Sequence, residues 1–288
     1  MVGPTAVGKT SFAIKVAIHF QTEIISSDSR QFFAEMSIGT AKPNEHELQE
    51  VKHHFVGNVS INTLYSAGDF ERDALKKLDE LFIKNSIVAM VGGSGLYTKA
   101  VLEGLDEMPK ADEKLRTELQ QLFDEKGIAP LQEILKKIAP EKFAIMDIQN
   151  TQRVMRAIEI SSQQNVIVKE KTPRKFIPIK IGLNLERENL YNRINQRVDQ
   201  MMEAGLLAEA KSLYDFKHLN ALQTVGYTEL FDYFDGRQSL EKAIELIKQH
   251  TRNFAKRQLT WFRKEKDIHW FEPEDINGVI ALIEKELR

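Results

Sequence analysis

Gly3-Pro4-Thr5-Ala6-Val7-Gly8-Lys9-Thr10 decides how this chain is read. It is a full Gly-x-x-x-x-Gly-Lys-Thr pattern, the signature of a phosphate-binding P-loop. The glycines let the backbone fold so that successive N–H groups point at an anion. A helix that follows adds the positive end of its dipole. Lys9 supplies a point charge, and the Thr10 hydroxyl can ligate Mg²⁺. Ser11 to Phe20 reads as that helix, with Phe12, Val16 and Ile18 turned inward. The motif alone admits a nucleotide, ATP included, or any other phosphate ester.

Outward from the loop, short apolar runs alternate with helical patterns. Glu23 to Ser27 reads as a buried strand ending at Asp28, and Ile87 to Val91 as a second ending at Gly92-Gly93-Ser94-Gly95. Ala67 to Lys84 has helical periodicity, whereas Gln31 to Lys52 reads as irregular. This alternation predicts an α/β fold, a P-loop NTPase-like parallel sheet flanked by helices. Strand signals vanish between Pro109 and Ser162, where Lys, Glu and Gln-rich helical segments take over. We expect a core of residues 1–108 and 176–288 and an α-helical insertion domain over 109–175. Strand character returns at Ile177 to Leu185. Long helices follow over Arg187 to Asp215 and Leu240 to Lys264, with a shorter one near Ile276 to Leu287.

In a parallel sheet the carboxyl ends of the strands face the ligand crevice, which would set Asp28 beside the P-loop. A carboxylate there can ligate Mg²⁺, accept a proton, or merely cap the next helix. Gly92 to Gly95 reads as a second anion nest or a tight turn.

Composition narrows the classes. The 288 residues carry 40 basic and 42 acidic side chains, a net charge of −2, so a nucleic-acid partner requires a local basic patch. There are no cysteines, which excludes disulfides, thiolate zinc sites and cysteine nucleophiles. No apolar run reaches a bilayer-spanning length, and we expect a monomeric cytoplasmic protein with no membrane partner.

Three segments are candidates for contact with anionic partners. Arg153 and Arg156 stand three apart in a predicted helix, Arg193 and Arg197 four apart in another. Thr251 to Lys264 has five basic residues and no acidic one, with Arg252, Lys256 and Arg263 on one face and Phe254, Leu259 and Phe262 able to pack inward. Basic residues beside Trp261 suit phosphates and stacked bases, although a solvated helix flank with Trp261 in the core has the same pattern. His53-His54 with Glu45 and Glu47 matches no standard metal spacing and reads as surface.

Together these words resemble the tRNA dimethylallyltransferase (isopentenyltransferase) family: GPTAVGKT from Gly3, DSRQ from Asp28, IGTAKP from Ile38, GGSGLY from Gly92, QRVMRAIEI from Gln152, LYNRINQRVDQMMEAGL from Leu190, VGY from Val225 and AKRQLTWFR from Ala255. They occur in family order across nearly the whole chain. The resemblance implies transfer of a dimethylallyl group from dimethylallyl diphosphate to N6 of adenosine 37, beside the tRNA anticodon, with Mg²⁺ assisting and diphosphate leaving. It implies that the P-loop, Gly3 to Thr10, holds the leaving group with Arg197 as a further clamp. Asp28, Lys9 and Thr10 are then catalytic, with Asp28 the proton acceptor. Ser94, where the family more often has Thr, is implied to touch the target base, which must leave its stack. The implied tRNA contacts are Asp28, Ser29, Arg30, Gln31, Ser94, Arg116, Gln152, Arg153, Val154, Met155, Arg156, Gln223, Thr224, Val225, Gly226, Tyr227, Thr228, Lys256, Arg257, Gln258, Trp261 and Arg263. The helical insertion would embrace the anticodon stem-loop.

The chain also departs from the family pattern. Phe32-Phe33 stand where a Tyr is usual, and Thr228 where an Arg often follows the Tyr. Only Met1 and Val2 precede the P-loop, so the strands flanking that position are expected to lack a hydrogen-bond partner. Other readings of the same residues are a P-loop small-molecule kinase, an adenylate isopentenyltransferase acting on free nucleotides, and a non-catalytic tRNA-binding protein.

Overall fold

The computed structural model describes residues 1–106, 112–163 and 173–287. Among the described residues there are five short strands: β1 (Ile24–Ser26), β2 (His53–His54), β3 (Ala89–Val91), β4 (Ile181–Leu183) and β5 (His269–Phe271). They pair in parallel as β2-β1-β3 and as β4-β5. Met1 and Val2 fill the gap between the two sheets. Val2 N–H donates to Ile181 O (2.8 Å) and Leu183 N–H to Val2 O (2.9 Å). On the other side the Met1 nitrogen donates to Met90 O (2.6 Å) and Gly92 N–H to Met1 O (3.2 Å). The expectation of unpartnered neighbours is therefore corrected: two residues suffice to complete the ladder β2, β1, β3, Met1–Val2, β4, β5. Because all run the same way, the P-loop, the Gly92 turn and the Asp28 turn leave the same edge side by side.

Four helices accompany the first half: α1 (Lys9–His19), α2 (Glu45–Glu50), α3 (Ala67–Phe82) and α4 (Gly95–Glu103). Phe12, Ala13, Ile14, Val16 and Ala17 of α1 are buried. Removing a side chain the size of Phe12 from water contributes on the order of 1.5–3 kcal/mol. Ile18, expected inward, is half exposed on the opposite side. The helix α2 lies in the stretch expected to be irregular. It is held by a reciprocal cap in which Asn44 Oδ1 accepts from Glu47 N–H and Glu47 accepts from Asn44 N–H, both at 2.9 Å. Ser66 and Asp69 start α3 in the same way.

The chain divides into two compact units, Met1–Glu103 with Arg174–Arg288, and Gly104–Pro173. The expected boundary at 108/109 and the stretch 164–172 of the expected insertion lie outside the described residues. The second unit holds α5 (Glu113–Lys126), α6 (Ala129–Ile138), α7 (Pro140–Ile145) and α8 (Thr151–Ser162), around a core of Leu119, Leu131, Leu135, Val154, Met155 and Ile158. The remainder of the first unit is α9 (Arg187–Glu203), α10 (Leu206–Ser212), α11 (Tyr227–Phe234), α12 (Leu240–Phe262) and α13 (Ile276–Glu286). The single helix expected over Arg187 to Asp215 is broken, because Gly205 takes φ +102° between α9 and α10. Among the described residues no helix is long and apolar enough to cross a membrane.

Candidate active site

The P-loop is a strained backbone locked by its neighbours. Gly3, Ala6 and Gly8 have φ of +144°, +64° and +101°, and a non-glycine residue at Ala6 persists there only because its surroundings hold it. A Cβ on Gly3 would lie 2.4 Å from Leu183 O. Gly8 is the residue before α1, so the loop delivers Lys9 and Thr10 at the positive end of that helix. Lys9 Nζ folds back onto Gly3 O (3.0 Å) and Pro4 O (2.7 Å). Loss of water around this ammonium brings its pKa down to about 8; Asp28 opposes the fall and Arg197 adds to it.

The loop borders a cavity of about 410 Å³, lined also by Asp28, Gln31, Lys42, Glu47, His53, Arg193 and Arg197. The four-residue spacing on α9 places both arginines at the loop, where Arg193 donates to Val7 O (3.2 Å) and Arg197 to the Thr5 hydroxyl (3.5 Å). Burial lowers the pKa of Arg197, with Asp28 acting the other way. Asp28 ends β1 in a tight turn, where Oδ1 accepts from Arg30 N–H (3.0 Å). Ser29 N–H donates to Ser94 Oγ (2.9 Å), and the two hydroxyls meet at 3.0 Å. The Asp28 turn and the Gly92–Gly95 turn are thus one hydrogen-bonded unit.

The far wall is the segment from Ile38 to Pro43. Its amides converge on one carboxylate, with Ser37, Ile38 and Gly39 N–H donating to Glu209 of α10 at 2.8 to 3.0 Å. The Tyr227 hydroxyl donates to the same carboxylate (2.6 Å), and burial raises its pKa, as does this bond. The Tyr227 ring lies so close to Gly39 that a Cβ there would stand 2.6 Å from it. Gln31 joins this wall to β1, donating to Ala41 O (2.9 Å) and accepting from Ser26 Oγ (3.2 Å).

Several residues expected to contact tRNA have side chains that are buried or bonded within the protein. Tyr227 is fully buried on Glu209, and Gly226 is buried too. Within this stretch Gln223 is exposed, and Thr228 bonds back to Thr224 O (3.2 Å). Gln258 is buried: its amide accepts from Thr5 N–H (2.7 Å) and donates to Gly93 O (2.9 Å). Val154 and Met155 are core residues of the second unit. Arg116 and Arg156 of that unit flank the buried Glu159 carboxylate at 3.3 and 2.9 Å, while Gln152 and Arg153 are exposed. On α12, Lys256, Arg257 and Trp261 are exposed, as is Arg263 just past its end, and Trp261 covers Gly95. Arg252 instead ties α12 to Asn195 of α9 (2.6 Å). Phe254, expected inward, is exposed with Arg257 over its ring (5.8 Å). Phe32 and Phe33 are both buried, Phe32 stacking on Phe70. His53 and His54, half-buried, form the strand β2; their rings bond Val51 O (2.8 Å) and Glu23 (2.6 Å).

Residue patterns did not single out Glu209 or Lys42. Glu209 leaves no signal in the sequence, since its partners lie far away in the chain. Lys42 sat in the loop word from Ile38 to Pro43, which marked the segment without assigning the lysine.

Comparison with known proteins meets this geometry. Residues 31–265 match the family model described as IPP transferase. The chain is 52% identical to the tRNA dimethylallyltransferase of Christiangramia forsetii, covering 100% of this chain and 97% of the relative. It is 50% identical to that of Flavobacterium johnsoniae, with the same coverage. Among solved structures, the full-length tRNA isopentenylpyrophosphate transferase of Bacillus halodurans superposes with a TM-score of 0.75 at 38% identity, covering 99% of this chain and 95% of that one. The chain belongs to the IPP transferase family.

Proposed function

We propose that this protein transfers a dimethylallyl group from dimethylallyl diphosphate to N6 of the adenosine beside a tRNA anticodon, as a monomeric cytoplasmic enzyme. One observation carries the reading: an anion cradle and a turn bearing a carboxylate leave the same edge of the sheet, with β3 between them, and open on one cavity. The cradle suits a diphosphate, with Lys9, the start of α1, Arg193 and Arg197 facing it. In the reaction the adenine N6 lone pair attacks the dimethylallyl carbon that carries the diphosphate oxygen. The carbon–oxygen bond breaks, and its electron pair leaves on the diphosphate. Asp28 takes the proton released from N6. Fixed cationic groups where that charge develops are worth more than the same groups in water.

The Thr10 hydroxyl supplies a hard oxygen donor at this cavity, which fits Mg²⁺ held by few protein ligands and by phosphate oxygens. When bound, Mg²⁺ would neutralise charge on the leaving diphosphate. The acceptor base must be extruded to reach Asp28, and Ser94 with Ser29 forms the polar wall it would meet. The exposed Lys256, Arg257, Trp261 and Arg263 support a local contact to tRNA in a protein of net charge −2.

The test is transfer of labelled dimethylallyl group to tRNA, with AMP as the competing acceptor. Asp28→Asn is expected to lower kcat by about 10²–10⁴-fold, the range lost with a general base. Full activity in Asp28→Asn, or transfer to AMP in preference to tRNA, would reject the reading.

A further inference from the structure

Gln258 has its side chain buried in a protein whose other α12 polar groups are largely exposed, and it reaches two loops at once. Its Oε1 accepts from the Thr5 amide (2.7 Å) and its Nε2 donates to the Gly93 carbonyl (2.9 Å). The first contact is in the P-loop. The second is in the turn whose next residue, Ser94, bonds Ser29 beside Asp28. One rigid amide therefore spans the donor loop and the acceptor loop, from the buried side of α12 that faces away from its exposed basic residues. Both bonds have matched polarity, so the amide has one orientation that satisfies them. The fit is close from both ends: a Cβ on Gly93 would lie 2.3 Å from Nε2. The Thr5 amide is also consumed by this bond, which leaves phosphate binding to the later amides of the loop.

We propose that Gln258 is a positioning residue for prenyl transfer, setting the separation of the donor and acceptor loops so that the carbon bearing the diphosphate oxygen and the adenine nitrogen meet in line. The proposal rests on the transferase reading above. Each loop keeps its own ligand contacts without Gln258; what is lost is their relative placement. Displacement of reacting groups by about 1 Å can cost on the order of 10²-fold in rate. The signature is a fall in kcat with both KM values preserved, which a merely structural residue would not produce.

The experiment compares wild type with Gln258→Met, which keeps length and volume and removes both bonds. Single-turnover transfer is measured at saturating dimethylallyl diphosphate and tRNA, alongside KM for each substrate. The thermal midpoint and pyrophosphate affinity give the folded, loop-competent fraction. A rate per competent enzyme at least about tenfold lower, with both KM values within about threefold, is the expected result. Gly93→Ala, which presses on the same amide from the acceptor side, is expected to do likewise and serves if Gln258→Met does not fold. An undiminished rate per competent enzyme, or a change confined to KM, would overturn the proposal while leaving the reading intact. Absence of transfer by the wild type would remove both.

Discussion

Lys9 rests on the carbonyls of its own loop, and loss of water holds its pKa near 8. A bound diphosphate restores a strong partner and raises that pKa. Between the two values binding takes up a proton, so affinity must fall as pH rises. Calorimetric titration with pyrophosphate should show binding that is flat in Lys9 charge below about pH 8. Above it, affinity weakens by up to about tenfold per unit. Lys9→Met should bind more weakly throughout and lose this slope; a slope that survives the substitution would place the titrating group elsewhere. The same residue scale marks where sequence reading succeeded. Lys9, Thr10 and Asp28 were legible because a short contiguous motif and a strand end define their places. Gln258 and Glu209 were not. Their roles consist of hydrogen bonds to backbone far away in the chain, and no periodicity or spacing encodes such a partner. For Gln258 the basic, aromatic surroundings pointed outward, whereas the amide turned inward.

At the scale of elements, α10 and the wall from Ile38 to Pro43 act as a pair. Glu209 satisfies three amides and a phenol. Glu209→Ala leaves them to water or to nothing, and urea unfolding should show a loss on the order of 2–3 kcal/mol. Pyrophosphate affinity should weaken with it, since Lys42 is carried on that wall. Unchanged unfolding in Glu209→Ala would show that the clasp is ornamental. Element boundaries show a second limit of the sequence. The existence and type of α1, α3, α12 and the strands before Asp28 and Gly92 were readable from apolar periodicity. The helix α2 was passed over although Asn44-x-x-Glu47 is a capping box, because its residues are too polar to show a buried face. Gly205 likewise marked the end of α9, but helical patterns on both sides masked it.

For the whole molecule, charge and chain order matter more than any single contact. A protein of net charge −2 has no general attraction for RNA, so the proposed tRNA contact needs a local basic face such as the exposed one on α12. Lys256→Ala or Arg263→Ala should reduce the slope of log affinity against log salt for tRNA by about one each. An unaltered slope in the double variant would locate the contact off α12. The mixed, parallel arrangement of the fold was legible as a class from alternating strands and helices. The joining of two short sheets by Met1 and Val2 was not, because two residues carry no pattern.

That join has a consequence for synthesis. Val2 shares its hydrogen bonds with Ile181 and Leu183, so a residue translated before the P-loop waits for partners made far later. At ribosomal speeds of about 5–20 residues per second the delay is roughly 10–40 s. The unit Gly104–Pro173, with its own apolar core, emerges within that interval. The nascent chain should therefore close its inserted unit before the P-loop acquires the β4 side of its ladder, whereas the β3 side is already available.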